Sequence, residues 1–177
     1  MVLFKRRASV LLLASVVVGA LGIGLWGAVG SASPDEGVHN DKGRTTLTVL
    51  VKNRELKVVD LGPRGPSQGD MRVANAPLYD ESAKERIGRL DFFCVTTDPA
   101  DEPSEKAHMA ECTKTFTLAG GEISVQGVNA YPKLSEIPPH GGVDAISGGT
   151  GKYAGARGEE RFETRGNKVI STFHFVD

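Results

Sequence analysis

The chain has 177 residues, 40% of them hydrophobic, and 21 basic against 22 acidic side chains give a formal charge of −1. That is the length of one domain, with enough apolar content for a core and too little charge for a disordered chain. No basic patch with interleaved aromatics stands out, which argues against a nucleic-acid partner.

The first residues read as an address rather than as fold. Lys5, Arg6 and Arg7 precede an apolar run over 8–29, and Gly30, Ser31 and Ala32 follow as small residues. Charged, apolar and small-residue regions in that order make a secretory signal. The run is also long enough to span a bilayer as a helix. Residues 1–32 are therefore a signal peptide or an N-terminal membrane anchor, and glycines at 19, 22, 24 and 27 favour cleavage. The remainder is expected outside the cell, secreted or on the outer face of the membrane, which it would touch only through residues 1–32. It keeps 18 basic residues against all 22 acids, a formal charge of −4. Residues 33–44, with Pro34 and Gly37, read as a flexible linker, and 45–177 as the domain.

From residue 45 the apolar pattern has a period of two. Runs at 45–60, 72–79, 87–97, 109–119, 122–131, 143–147, 157–164 and 168–176 are rich in β-branched and aromatic residues, and Gly, Pro or Asp clusters separate them. The first run is one long bent strand or two. About eight antiparallel strands in so short a chain predict a closed barrel or a sandwich.

The cysteines suggest a register. If the hairpin between the third and fourth runs is centred on Pro103, residues whose numbers sum to 206 are opposed, as Cys94 and Cys112 are. Opposed residues in an antiparallel pair lie within disulfide reach, so a bond is expected in an exported chain. The alternative is two small buried apolar side chains. The same register puts Leu90, Phe92, Cys94 and Thr96 on one face with Ala110, Cys112, Lys114, Phe116 and Leu118, joined by Ile123, Val125 and Gly127. Lys114 is the exception on that face. It is read as a lysine near a barrel mouth, its stem on apolar surface and its head in water; the alternative is a lysine of lowered pKa inside a cavity.

From the end of the sixth run into the start of the seventh, glycines stand at 148, 149, 151, 155 and 158. The Walker pattern fails, with Ile146 and Tyr153 where Gly and Ser or Thr are needed. A dinucleotide fingerprint would have to open a helix, and Gly155 and Gly158 fall where that helix should run. The stretch reads instead as a structural turn made by Gly148, Gly149, Gly151, Tyr153, Gly155, Arg157 and Gly158. Tyr153 would cover a barrel end and Arg157 would pair with an acid.

From about residue 61 the chain resembles the allene oxide cyclase barrel family, related to dirigent proteins, in its bacterial exported branch. The blocks are Leu78-Tyr79-Asp80, Arg86-Ile87-Gly88 leading to Cys94, Ile123-Ser124-Val125-Gln126-Gly127, and Ala145-Ile146-Ser147-Gly148-Gly149-Thr150-Gly151-Lys152-Tyr153-Ala154-Gly155-Ala156-Arg157-Gly158. The resemblance implies an eight-stranded antiparallel calycin-like barrel with an apolar cavity, often a homodimer or homotrimer. It also implies cofactor-free cyclisation or isomerisation, in which the barrel excludes water and holds a reactive substrate in a ring-closing shape.

Plant members place a carboxylate on the first strand with an asparagine two residues later. Here Val51-Lys52-Asn53 has the asparagine and lacks the acid. A second family asparagine corresponds to Asn75, displaced by one residue and turned to the other face unless a bulge restores it. Cys94 matches the family's cavity cysteine. A family tyrosine is replaced by Asn129, with Tyr131 two further on the same face. The expected cavity lining is Asn53, Phe92, Cys94, Cys112, Lys114, Val125, Asn129 and Tyr131, and no catalytic residue is assigned.

His39, His108, His140 and His174 have no metal-ligand spacing, Asp98, Asp101, Glu102 and Glu105 lack a calcium-loop pattern, and Ser147 lacks a nucleophile elbow. Neither metal nor cofactor is expected. The first hypothesis is an exported barrel that binds a small apolar molecule and cyclises or isomerises it. The alternative is a non-catalytic ligand carrier or cell-envelope interaction module.

Overall fold

A computed structural model describes residues 38–41, 44–52, 55–100, 106–133 and 141–176, with side chains from residue 48 onward. Residues 1–32, expected to be a signal or anchor, Asn53 and residues 101–105 lie outside these residues.

Ten strands run in chain order: β1 (Val38–Asp41), β2 (Arg44–Val51), β3 (Glu55–Val59), β4 (Met71–Tyr79), β5 (Arg86–Asp98), β6 (His108–Leu118), β7 (Gly121–Tyr131), β8 (Gly142–Gly149), β9 (Gly158–Arg165) and β10 (Lys168–Phe175). All pairings are antiparallel, in the order β1-β2-β10-β9-β8-β7-β6-β5-β4-β3. The barrel of eight strands closes where Leu50 and Val51 of β2 pair with Tyr79 and Leu78 of β4. Closure leaves no open edge within the ring.

The first predicted run is thus two strands that share one edge of β4. β2 takes Leu78 and Tyr79, and β3 takes Met71 to Asn75. At the break, the Lys52 ammonium donates to the Ala83 carbonyl at 2.7 Å and lies 4.5 Å from the Tyr79 ring centre. One correction falls on the linker: residues 38–41 form β1, paired with residues 44–47. Linker composition at Pro34 and Gly37 hides it, because four residues are too short for a period-two signal.

The period-two reading fixes which faces are inside. Along β4, Arg72, Ala74, Ala76 and Leu78 are buried while Val73 and Asn75 are exposed. Asn75 therefore faces outward. The β4–β5 irregularity falls between Leu78 and Tyr79, too late to turn it in. The β5–β6 register is the one derived from the cysteines: Gly88 to Thr96 pair with Leu118 to Ala110, and Cys94 lies opposite Cys112.

One end of the barrel is filled with rings. Phe116 and Phe173 meet edge to face at 4.8 Å, and Phe175 stacks on Phe173 at 6.2 Å and on Tyr153 at 6.3 Å. Tyr153 comes from the glycine-rich connection between β8 and β9, which makes a single 3-10 turn over Gly151–Tyr153. Gly151 and Gly155 have φ of 59° and 77°, conformations that a residue with a Cβ adopts at a cost. The turn also binds the β6–β7 connection, with Thr150 N donating to Glu122 O at 2.9 Å and Lys152 N to Gly120 O at 2.8 Å. Arg157 departs from expectation. Its side chain is exposed, no ion pair involving it occurs among the described residues, and its carbonyl accepts from Val176 N at 3.0 Å.

The β3–β4 loop is held by Asp70, which is 1% exposed. Its carboxylate accepts from Leu61 N at 3.0 Å, Ser67 N at 2.7 Å and Ser67 Oγ at 3.0 Å. The Leu61 amide, with further donors from Ser67 and Gly62, holds its pKa below the usual carboxylate value against the opposing effect of burial. Asp70→Ala leaves these donors without their acceptor and should cost about 1–3 kcal/mol in urea unfolding. Because the folded pKa is the lower one, this stability is present above about pH 4 and is lost as pH falls through the folded value. The gap in melting temperature between wild type and Asp70→Ala should close in that acid range.

Candidate functional site

The inner face of β5, β6 and β7 is largely apolar, with the polar Thr96 and Asn129 and the charged Lys114. The row that carries it runs Phe92, Lys114, Val125 across β5, β6 and β7. An ammonium there needs a partner, and the next strands supply two. Asp144 on β8 and Glu160 on β9 are direct cross-strand partners, 1% and 0% exposed. Two carboxylates so placed repel each other. Lys114 reaches across β7 and bridges them, its Nζ 2.7 Å from Asp144 Oδ2 and 2.6 Å from Glu160 Oε2.

β7 permits this because it has Gly127 at the crossing. A Cβ there would collide with the Asp144 carboxylate. Asn129, two residues further along β7, donates from Nδ2 to Asp144 Oδ1 at 3.1 Å and fixes the carboxylate's orientation. The Lys114 ammonium also sits 3.9 Å from the centre of the Phe162 ring. Burial works against its charge, but Glu160 and Asp144 together outweigh burial and raise its pKa above the ordinary lysine value. Two expectations are corrected here. The head of Lys114 does not reach water at a barrel mouth, its side chain being only 12% exposed, and its pKa is not lowered.

Beside this charged layer lies a second group. Cys94 and Cys112 are bonded, with Cα atoms 4.1 Å apart. The Tyr131 hydroxyl, the only hydrogen donor of the three, lies 3.1 Å from Cys112 Sγ and 3.6 Å from Cys94 Sγ. Arg72, opposite Cys94 on β4, lays its guanidinium 3.1 Å from the Tyr131 ring centre. Burial raises the Tyr131 pKa against the pull of Arg72, so the phenol stays protonated and donating at neutral pH. The bond closes a loop of separation 18. Replacing both cysteines by alanine should therefore cost about 3 kcal/mol on the loop-entropy model, read as a lower urea midpoint.

Between the two groups is a cavity of about 60 Å³. That is room for a few water molecules and is smaller than the sites of drug-sized ligands. Its apolar walls include Val51, Leu56, Leu90, Phe92, Phe116 and Phe162, and its polar groups are Arg72, Lys114, Tyr131, Glu160 and Ser171.

Of the eight residues expected to line it, Phe92, Cys94, Cys112, Lys114 and Tyr131 do. Val125 instead packs into the ring-filled core, and Asn129 stands behind the wall, bonded to Asp144. Asn53 lies outside the described residues. Asp144 and Glu160 are the groups that sequence reasoning misses. Asp144 shares its parity with Ile146, and Glu160 with Phe162, so both fall on inward positions. A lysine on an apolar face is itself a signal that an inward carboxylate is needed. Among the described residues, no group of three or more His, Cys, Asp or Glu is placed to hold a metal ion.

No protein-family model and no curated protein sequence matches the chain. Solved structures do. That of a pyocyanin demethylase matches with a TM-score of 0.61 and 24% identity, over 74% of this chain and 99% of that one. A nonspecific heme-binding cyclase that catalyses a [4+2] cycloaddition in neoabyssomicin biosynthesis matches at 0.58 and 15%, over 77% of this chain and 66% of that one. The Diels-Alderase AbmU from Streptomyces koyangensis matches at 0.53 and 14%, over 73% and 64%. The chain thus spans slightly less than two thirds of the length of the two cyclases. At these identities the likeness shows a shared barrel fold.

Proposed function

We propose that this protein is an exported barrel that takes a small, largely apolar molecule into its cavity and cyclises or isomerises it without a cofactor, as its resemblance to allene oxide cyclase-like proteins suggests. One observation carries the reading: Lys114 and Glu160 line a largely apolar cavity, and Asp144 completes their ion-paired group from a third strand. Buried charges are expensive and add little stability over an apolar core of the same volume. A carrier of apolar molecules has no use for them, whereas a site that moves protons or stabilises developing charge does. That the fold also serves a demethylase and cycloaddition catalysts adds support by analogy.

In this reading the apolar walls hold the substrate folded and exclude water, which strengthens every electrostatic contact inside. Glu160 Oε1 accepts a proton from the substrate and returns it at another position as the product forms, and Lys114 stabilises the negative charge that develops between the two transfers. Val51 stands in the cavity wall at the position that corresponds to the plant carboxylate. The acids come instead from β8 and β9. The disulfide supports an oxidising compartment outside the cell.

The test is to incubate the purified full-length protein with cell-envelope and culture extract. Retained molecules are then sought by native mass spectrometry and new products by chromatography. A product made by wild type and not by Glu160→Gln supports the enzyme. A ligand recovered unchanged supports the carrier, and no retained molecule contradicts both. Cell fractionation checks export, and recovery from the cytosol would contradict it.

A further inference from the structure

The carboxylate of Glu160 is only half satisfied. Oε2 takes a hydrogen bond from Lys114 Nζ at 2.6 Å, while Oε1 is buried and has no hydrogen-bond partner among the described residues. The groups that might serve it are committed elsewhere. Asn129 donates to Asp144, Lys114 is shared between the two acids, and the cross-strand neighbour on β10 is Phe173. Glu160 is among the residues that line the cavity, so a molecule seated there is the nearest source of a donor for Oε1. A buried acceptor left unmade costs more than a typical hydrogen bond contributes, and such an atom calls for a missing donor.

The charges around it narrow the chemistry further. Lys114 and Arg72 balance Asp144 and Glu160, so the ionisable side chains of the site sum to zero. An ionic ligand would bring an uncompensated charge into an apolar cavity. A neutral ligand would not. The aromatic walls, Phe92, Phe116, Phe162 and Tyr131, offer flat apolar surface to a ring.

Resting on the proposed cavity function, we infer that its substrate belongs to one chemical class: a neutral, ring-containing molecule with an N–H or O–H that donates to Glu160 Oε1. An acceptor-only molecule of the same shape would set its lone pairs against the carboxylate and leave Oε1 unmade.

Indole and benzofuran test this, because they share size and shape and differ in carrying N–H or O in the five-membered ring. Binding of each to the full-length protein is measured by calorimetry. Indole should bind at least tenfold more tightly than benzofuran, the range of a hydrogen bond to a charged group. Glu160→Gln, whose amide can also donate, should narrow the ratio to within about threefold. The wild-type ratio alone decides the point if that variant folds poorly. Equal wild-type affinities would overturn the donor requirement and leave the cavity reading standing. Binding of neither probe overturns the inference, and the cavity reading fails as well only if extract also yields no retained molecule.

Discussion

Lys114→Met is expected to destabilise the barrel by about 3–5 kcal/mol, the cost of removing one partner from a buried ion pair. From sequence alone the opposite holds if the side chain is merely buried, since a lone lysine among Phe92, Phe116 and Leu118 would be relieved by methionine. The difference is made by Asp144 and Glu160, which would face each other across β8 and β9 with no cation between them. Urea unfolding at pH 7 measures the loss. The triple variant Lys114→Met, Asp144→Asn, Glu160→Gln should recover most of the stability, since it removes the charges together. In wild type the raised Lys114 pKa sets the sign at the alkaline end. Its contribution is fully present below the unfolded lysine value, about 10.4, and is lost as pH rises through the folded value. A stability profile flat to pH 12 would contradict the pairing.

Phe173→Ala is expected to cost about 3–5 kcal/mol, the range for removing a large buried ring. Phe173 is 0% exposed, edge on to Phe116 at 4.8 Å and stacked with Phe175 at 6.2 Å. It lies on β10, which pairs on one side with β9 and on the other with β2, the strand that closes the ring. Loss of the ring therefore weakens the filled end of the barrel and the support behind Glu160, its cross-strand partner. Phe173→Leu keeps most of the volume and should cost less than half as much. Equal effects of the two substitutions would show that packing around the ring is not what holds this end.

The strands were legible because alternation of apolar and polar residues is a local signal, and an inward face imposes it on every strand. The β5–β6 register was legible for a stronger reason: two cysteines that must meet fix one rung, and the ladder fixes the rest. The charged layer was not. Lys114, Asp144 and Glu160 are 30 and 16 residues apart along the chain, and they meet because β6 to β9 lie side by side and Gly127 leaves room across β7. Gly127 is equally silent in sequence, since a glycine that admits a neighbouring carboxylate looks like any strand glycine. Val125 shows the limit of face assignment. Its inward direction is right, yet whether an inward residue meets a cavity or another side chain depends on the rings above and below it. The strand β1 was hidden by its shortness.

The most direct test of the proposed ligand cavity, walled in part by Lys114 and Glu160, is a crystal structure of the full-length protein with the molecule it retains from extract. The account predicts density inside the barrel, bounded by Phe92, Phe116 and Phe162, with a polar atom within 3.2 Å of Glu160 Oε1, as about 2.7–3.2 Å is the span of a hydrogen bond. Density on the outer groove of β2, β9 and β10, against Thr48, Arg161 and His174, with the interior closed, would contradict it.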